Sequence, residues 1–205
     1  MPQVGIVIGI DGLGKTPLLN LVEQVAKDQG VAVERRRLVD NPHELKEGEA
    51  IQRAFREIES WGAGGENQPR LLLYDRFPYP DEWVYGPLMG RKETVWDLSF
   101  TFRRMDELLM EHGAKFLYIS PPPSPIGASP VESYLHAVQE ADEYVDNRDP
   151  DVVRHILDSY EFFLEYTQCQ HARLYYRQFD EFIARTVLAW FLKGESTSVE
   201  PPLLT

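Results

Sequence analysis

Residues 9–16 have the residue types and the spacing of a phosphate cradle. They read Gly-Ile-Asp-Gly-Leu-Gly-Lys-Thr, which matches the pattern Gly-x-x-x-x-Gly-Lys-[Ser/Thr] at every position. Glycines let the backbone turn so that several N–H groups point at phosphate oxygens, and a following helix adds its positive end. The predicted phosphate-binding positions are Gly9, Gly12, Leu13, Gly14, Lys15 and Thr16.

Two side chains of this loop predict the cofactors. Lys15 is placed to neutralise the β- and γ-phosphates of ATP, and the Thr16 hydroxyl is placed to ligate Mg²⁺. The pattern arises by accident in roughly one chain of this length in a hundred, given that glycine makes up about 7% of residues. Here an apolar strand precedes the loop and a helix follows it, as phosphate binding requires.

Asp75 and Arg76 form a second candidate for chemistry, directly after the short apolar run 71–74. An Asp at the end of a strand beside a phosphate loop can hold magnesium, or act as a base on the acceptor oxygen. An Arg next to it can clamp a phosphate with its fork of donors. The alternative is a surface turn with an incidental ion pair.

The overall charge limits the partners. The chain has 205 residues and a formal net charge of -12, which disfavours a nucleic-acid backbone because that binding relies on Lys and Arg. The basic cluster Arg35-Arg36-Arg37 is short and suits a small phosphorylated ligand. We therefore expect a small-molecule nucleotide substrate and no membrane partner, and the sequence leaves open whether the chain forms a homodimer.

Strands that alternate with helices must position these groups. The pattern predicts an α/β fold of three layers, a P-loop kinase fold with a five-stranded parallel sheet and helices on both faces. In such a sheet, ligands bind beyond the carboxyl ends of the strands, where the phosphate loop, the basic cluster and Asp75 fall. The predicted strands are 4–10, 31–38, 71–74, 114–120 and 173–177; the predicted helices are 18–29, 42–61, 93–112, 131–144, 150–170 and 179–193, with a loop at 77–90.

The length favours a single domain over residues 1–194. We predict a mobile, lid-like insertion at about 124–151, which is polar, acidic and flanked by prolines, and a disordered tail at 195–205. The chain has one cysteine, Cys169, no long apolar run and no basic leader, so a cytoplasmic location is expected.

The loop 9–16, the Asp75-Arg76 pair with the aromatic residues after it, and the order of strands and helices resemble the thymidylate kinase branch of the nucleoside monophosphate kinases. The resemblance covers most of the chain as topology and two short segments as motif. It implies that ATP is the donor on the loop. It also implies a pyrimidine deoxynucleoside monophosphate as the acceptor opposite it.

The resemblance also implies roles for single residues. Asp11 would lie near the acceptor, and Asp75 with Arg76 would serve magnesium and phosphate. Phe55 would stack on the acceptor base, with Trp61 as the second candidate. Tyr85 resembles the tyrosine that follows the Asp-Arg motif in that family.

The sequence departs from the family pattern at several points. Ile8 replaces an acidic residue before the loop, and Pro17 replaces a hydroxyl residue after it. The motif Arg-Glu-Pro-Gly after the second strand is absent, so Arg36 or Arg37 is assigned its phosphate-binding work. The lid region 140–146 is acidic, and only Arg148 and Arg154 lie near it. These departures indicate a divergent member, such as a viral or specialised deoxynucleotide kinase.

Weaker signals allow two interpretations each. Tyr79 and Tyr85 could line a base pocket, or could belong to an aromatic loop that packs on the core. Arg148 could reach the transferring phosphoryl group, or could be solvated among acidic neighbours. The five histidines show no metal-ligand spacing, and a zinc site is not expected.

Phosphoryl transfer from ATP to a small deoxynucleotide is the function that these residues predict. The alternatives are a deoxynucleoside kinase that uses Asp75 as a base, a kinase of a modified base in DNA, and a non-catalytic nucleotide-binding regulatory protein. The net charge disfavours the DNA substrate. The absence of an Asn-Lys-x-Asp motif disfavours a switch protein.

Overall fold

Five short segments form one all-parallel sheet in the computed structural model, which describes residues 2–38, 49–61, 69–90, 99–123, 128–140, 148–176 and 178–193. The strands are rich in apolar and β-branched residues, and the central ones are buried on both faces, as a parallel sheet requires. Their order across the sheet is β2-β3-β1-β4-β5. The strands are β1 (Gln3–Ile8), β2 (Val33–Arg36), β3 (Leu71–Asp75), β4 (Ala114–Ser120) and β5 (Gln170–Tyr175).

Helices cover both faces of this sheet, which confirms the predicted fold class. An added Cβ on Gly5 of β1 would meet the ring of Phe191 in the last helix. On the opposite face, the ring of Phe116 in β4 lies 5.2 Å from that of Phe163. The helices are α1 (Lys15–Asp28), α2 (Glu49–Trp61), α3 (Pro78–Tyr85), α4 (Ser99–Glu111), α5 (Pro130–Glu140), α6 (Pro150–Tyr166) and α7 (Glu181–Leu192).

The prediction of a loop over 77–90 was wrong, because residues 78–85 form α3. Pro78 occupies the first position of the helix, where the missing N–H is not needed and the fixed φ is helical. Asp81 in the first turn adds a favourable charge near the positive end of the helix. The helix carries its aromatic residues into the core, so tertiary burial overrides the weak helical propensity of a proline-rich segment.

Several element boundaries differ from the predictions by a few residues. Helix α1 begins at Lys15 rather than at residue 18, because Gly14 adopts a left-handed conformation (φ 70°) and caps the helix. Helix α6 ends at Tyr166, after which Thr167 is extended (ψ 138°) and leads into β5. Strand β4 has the predicted bounds. The predictions for 42–48, 62–68, 93–98, 124–127, 141–147, residue 177 and 194–205 lie outside the described residues.

The described part of the predicted lid is α5, together with the start of α6. Val131, Tyr134 and Val138 of α5 are buried against the rest of the chain. The mobility of the 124–151 segment stays a prediction. Among the described helices, none has the length and apolarity that a membrane span needs.

The strand register explains how the candidate site is assembled. Strand β1 pairs with β3 so that Val7 lies opposite Asp75, and the phosphate loop begins at Gly9, directly after β1. Strand β2 pairs with β3 on the other side, with Arg36 opposite Tyr74. The carboxyl ends of three strands therefore deliver the loop, the Asp-Arg pair and the basic cluster to one edge of the sheet.

Candidate active site

The phosphate loop depends on glycine for its backbone conformation. Gly9, Gly12 and Gly14 have φ values of 140°, 79° and 70°, which side-chain-bearing residues rarely adopt. An added Cβ on Gly9 would lie 2.6 Å from the carbonyl oxygen of Ile119 in β4. Leu13 is fully buried in the core, so it contributes only its backbone to the concave side of the loop. The loop is thus built so that backbone amides can meet a phosphate.

The Lys15 ammonium lies inside the loop. Its Nζ donates to the carbonyl oxygens of Gly9 at 2.8 Å and Ile10 at 2.7 Å, and it lies 3.4 Å from a carboxylate oxygen of Asp11. Burial and the neighbouring Arg76 guanidinium lower the pKa of Lys15 to about 8, although Asp11 opposes this. A buried cation at this place favours the binding of an anion, because an incoming phosphate would compensate its lost hydration.

Thr16 and Asp75 meet at the foot of the loop. The Thr16 hydroxyl donates to Oδ2 of Asp75 at 3.2 Å. The same oxygen accepts a hydrogen bond from the Arg35 guanidinium at 2.7 Å. The Asp75 side chain is only 6% exposed, so it is a buried carboxylate with two partners on one oxygen.

Thr16 and Asp75 suit a magnesium ion that is shared with a nucleotide better than a metal ion held by protein ligands alone. A hydroxyl and a carboxylate are the hard oxygen ligands that Mg²⁺ prefers, and proteins commonly bind it through one or two carboxylates plus substrate phosphates. Among the described residues, no group of three or more His, Cys, Asp and Glu side chains could hold a metal ion. Thr16 and Asp75 are therefore the candidate ligands, with the remaining positions left to nucleotide oxygens and water.

Arg76 has an unusual backbone and two acidic partners. Its φ of 71° is the one positive value at a non-glycine residue in the described part of the chain, and its N–H donates to Val7 O at 3.0 Å. Its guanidinium forms an ion pair with Asp11 and lies 3.4 Å from Asp81. A strained backbone at a buried arginine is typical of functional sites, where the surrounding structure holds it in place.

The neighbours of Arg76 have shifted pKa values. Burial raises the pKa of Asp11, but the charges of Lys15 and Arg76 outweigh it and lower the value to about 2. Burial raises the pKa of Asp81 above its usual value, against the effect of Arg76. Burial opposes the charge on Arg76, but Asp81 and other neighbours raise its pKa well above the ordinary value. Arg76 is therefore a fixed cation between two carboxyl groups that differ in acidity.

Two tyrosine hydroxyls donate hydrogen bonds to the backbone of the phosphate loop, and neither residue was assigned to the site from the sequence. The Tyr134 hydroxyl donates to Asp11 O at 3.0 Å, and the Tyr160 hydroxyl donates to Gly9 O at 3.3 Å. Nothing local in the sequence marks either residue, because their partners are more than 120 positions away.

The structure also brings together residues that sequence reasoning left aside. Arg35 contacts Asp75, although Arg36 and Arg37 were the predicted phosphate ligands. Asp81 lies in the site through Arg76, and its Oδ2 has no hydrogen-bond partner in the described part of the chain. Asp81 was overlooked because residues 77–90 were predicted to be a loop, whereas it lies on α3 directly after the Asp-Arg pair.

The predicted acceptor-side residues are placed less favourably. Arg36 forms an ion pair with Glu57 and donates to Glu34 at 2.7 Å, so acidic neighbours already occupy its fork. Arg37 is exposed at the end of β2. Phe55 is half-buried and packs against the core. These residues lie on the side of β2 and α2, separate from the contacts around Lys15.

Trp61 and Tyr79 are buried in this structure, and their roles in stacking on a base stay predictions. Trp61 is 2% exposed, and its indole N–H donates to the Tyr74 hydroxyl at 2.7 Å. Tyr79 is fully buried, with its ring 5.2 Å from Phe163. Both side chains fill the core, because α3 and α2 turn them inward.

Tyr85 and Arg148 remain near the loop. The Arg76 guanidinium lies 5.5 Å from the centroid of the half-buried Tyr85 ring. Tyr85 is therefore on the side of the loop that faces Arg76. Arg148 is exposed. Burial is the largest cause of the raised pKa of Tyr134, and the positive charge of Arg148 opposes this rise.

Comparisons with known proteins identify the fold. No protein-family model and no curated protein sequence matches the chain. The YorR protein of Bacillus subtilis, solved in complex with phosphorylated GDP, superposes with a TM-score of 0.58 over 91% of this chain and 94% of that one, at 12% identity. Deoxyadenosine kinase from M. mycoides with bound dATP gives a TM-score of 0.50 over 93% and 100%, at 10% identity.

The class that follows from these comparisons is an α/β P-loop kinase-like fold, with the five-stranded parallel order found here. Both of these solved structures contain a bound nucleotide. Identities of 12% and 10% establish the fold of this chain and leave its substrate to chemical argument.

Proposed function

We propose that this chain is an ATP- and magnesium-dependent kinase that transfers a phosphoryl group to a small deoxynucleotide, in particular a pyrimidine deoxynucleoside monophosphate. The observation that carries the proposal is the convergence of Lys15, Thr16, Asp75 and Arg76 at one edge of the sheet. Lys15 and Thr16 begin α1, whereas Asp75 ends β3 and Arg76 follows it, and the three charged residues are buried. Buried charges cost free energy unless they are paired, and clusters of them are typical of ligand-binding sites.

The donor side follows from the geometry of the loop. Backbone amides of residues 12–14 and the Lys15 ammonium would bind the β- and γ-phosphates. Thr16 and Asp75 would hold Mg²⁺, which neutralises phosphate oxygens when it is bound. Lys15 would exchange its present carbonyl partners for phosphate oxygens, and its charge would then lie where negative charge develops.

The acceptor side rests on Arg76 and its neighbours. Asp75 has Thr16 as a partner, and this supports a role in holding the metal rather than in removing a proton from a sugar hydroxyl. Arg76 is a fixed cation held by Asp11, and it suits an acceptor phosphate better than a neutral acceptor. Tyr85, beside Arg76, is the candidate for contact with the acceptor's sugar or base. Arg148 is the candidate that would reach the transferring group.

The ligands of the structural neighbours agree with a nucleotide substrate. YorR was solved with phosphorylated GDP, and the M. mycoides enzyme is a deoxyadenosine kinase with bound dATP. The preference for a pyrimidine monophosphate comes from the sequence resemblance to thymidylate kinases. The departures at Ile8 and Pro17 are the reason why it needs a direct test. A cytoplasmic location and the absence of a nucleic-acid partner also stay predictions.

A coupled ADP-release assay tests the proposal. The purified chain is mixed with Mg-ATP and a panel of the deoxynucleosides and their monophosphates. We expect turnover on one monophosphate, loss of that turnover in Lys15→Ala, and full activity in Lys27→Ala. Lys27 is the matched control, because it is an exposed lysine at the other end of α1.

The other outcomes assign the alternative functions. Turnover on nucleosides alone would make the chain a deoxynucleoside kinase and would return Asp75 to the role of base. ATP binding without turnover on the panel would contradict the nucleotide-kinase proposal. In that case, DNA carrying a modified base and a regulatory role are the next candidates.

A further inference from the structure

The carboxylate that would hold magnesium already has a cationic partner. One Arg35 nitrogen lies 2.7 Å from Oδ2 of Asp75, and the Thr16 hydroxyl lies 3.2 Å from the same oxygen. The Asp75 side chain is 6% exposed and that of Arg35 is 22% exposed. A carboxylate this well shielded from water needs a counter-charge, and Arg35 provides it.

Arg35 is anchored by a second set of contacts that does not involve Asp75. Its other terminal nitrogen donates to Asn20 Oδ1 at 2.7 Å and lies 3.4 Å from Glu23 Oε2. Asn20 and Glu23 belong to α1, whereas Asp75 ends β3. The guanidinium therefore bridges a helix and the sheet. It can lose one partner while the other two keep it near the site.

A metal ion and this guanidinium compete for one oxygen. Magnesium demands near-ideal octahedral geometry and short bonds to its ligands. A guanidinium within hydrogen-bond distance of the same oxygen occupies part of that space, and its positive charge repels a divalent cation. Asp75 cannot hold both partners at full strength.

We propose that Arg35 is a resident counter-ion of Asp75 that must leave this carboxylate when a metal–nucleotide complex binds. This inference rests on the proposed function, because it assumes that the loop takes up a magnesium nucleotide. Arg35 then sets how strongly nucleotide affinity depends on magnesium. It is a positioning residue, since it acts through Asp75 and needs no contact with the nucleotide.

The test compares ADP affinity with and without magnesium. Binding of a fluorescent ADP is measured in excess Mg²⁺ and in EDTA, and the ratio of the two dissociation constants is the magnesium enhancement. We expect the enhancement in Arg35→Gln to be about tenfold larger than in the wild type, because the competitor is gone. Arg53→Gln is the matched control. Arg53 is an exposed arginine paired with Glu49 on α2, and this variant keeps the wild-type ratio.

An equal or smaller enhancement in Arg35→Gln would overturn the inference. A smaller one would mean that Arg35 orients Asp75 for the metal. Failure of the wild type to bind ADP under either condition would defeat the proposed function itself. Binding with an unchanged ratio would defeat the inference alone.

A second measurement needs no folded variant. The side-chain Nε–H of arginines in the wild-type protein, bound to ADP, is followed by NMR while Mg²⁺ is added. We expect the Arg35 Nε–H signal to shift as the contact between the Nη2 of the same guanidinium and Asp75 breaks. A signal that magnesium leaves unchanged would contradict the release of Arg35.

Discussion

Two clusters of polar side chains lie at opposite edges of the sheet and are built differently. The loop cluster, at the carboxyl ends of β1 and β3, consists of Asp11, Lys15, Asp75, Arg76 and Asp81. All five are acidic or basic, and most are buried. One carboxylate oxygen of Asp81 has no partner in the described part of the chain, and the Arg76 backbone is strained.

The Asp106 cluster, near the start of β5, consists of Asp106, Tyr79, Thr167, Gln168 and Cys169. The Asp106 carboxylate is 2% exposed. It accepts hydrogen bonds from the Thr167 hydroxyl, from the Gln168 backbone at 2.7 Å and from Tyr79 at 3.4 Å. Neutral donors thus surround this acid and join α3, α4 and the approach to β5.

The difference between the two clusters indicates that the Asp106 cluster serves stability and the loop cluster serves function. A buried acid with a full set of neutral donors stabilises the fold, because loss of the acid would leave those donors unsatisfied. A dense group of buried charges with a strained backbone lowers stability and is retained where a ligand supplies the missing charge. The following predictions test this comparison.

The largest expected effect is on catalysis. Replacement of Lys15 by Met should lower phosphoryl transfer by about 1000-fold, since it removes the buried cation from the phosphate site. The same variant should be at least as stable as the wild type at pH 7, because it no longer buries that charge. Enzyme assays and thermal unfolding, with Lys27→Met as the control, check both halves. A large loss of stability would place Lys15 among the structural residues.

Removal of Asp106 should have the opposite profile. Asp106→Ala should lower the free energy of unfolding by about 4 kcal/mol, since the buried Thr167 hydroxyl and the part-buried Gln168 N–H lose their acceptor. ADP affinity, measured at a temperature where the variant is folded, should stay unchanged. Asp158→Ala, at an exposed position of α6, is the control for denaturant unfolding. A parallel loss of affinity would show that the two clusters are coupled.

The pH dependence of stability should report on Lys15. Burial and Arg76 lower the pKa of this lysine from 10.5 to about 8, so between those pH values the unfolded chain carries a proton that the folded chain has lost. The stability contributed by Lys15 therefore rises as the pH rises through this window and is lost as the pH falls through about 8. The amplitude is at most roughly 3 kcal/mol.

The wild type and Lys15→Met are compared by denaturant unfolding from pH 7 to pH 10.5. The difference in the free energy of unfolding should move in favour of the wild type as the pH rises. Contributions that both proteins share cancel in this difference. A difference that does not change with pH would mean that the pKa of Lys15 is close to its ordinary value.

The smallest expected effect concerns the support of the loop. Tyr134→Phe removes the hydrogen bond from the hydroxyl to Asp11 O. It should weaken ADP binding about fivefold, which corresponds to about 1 kcal/mol for one hydrogen bond. Tyr166→Phe, at the far end of α6, should bind ADP as the wild type does. Equal affinities of the two variants would show that α5 does not support the loop.

The sequence predicted most of the fold because the periodic signals were strong. The apolar strand 114–120 was predicted with its observed bounds, and the alternation of strands and helices indicated the parallel sheet. The segment 78–85 was missed because prolines and aromatic residues are typical of loops. Only its burial against α2 and α6 makes it a helix.

The sequence by itself determined the parts of the site that depend on neighbours in the chain. The phosphate loop is local, since its glycines, Lys15 and Thr16 act through spacing alone, and Asp75 follows from the end of an apolar strand. Only the tertiary structure decided which distant groups meet that loop. Arg35, Tyr134 and Tyr160 reach it from other elements, while Tyr79 turns into the core. Contacts between residues far apart in sequence depend on strand register and helix packing, and no local pattern records them.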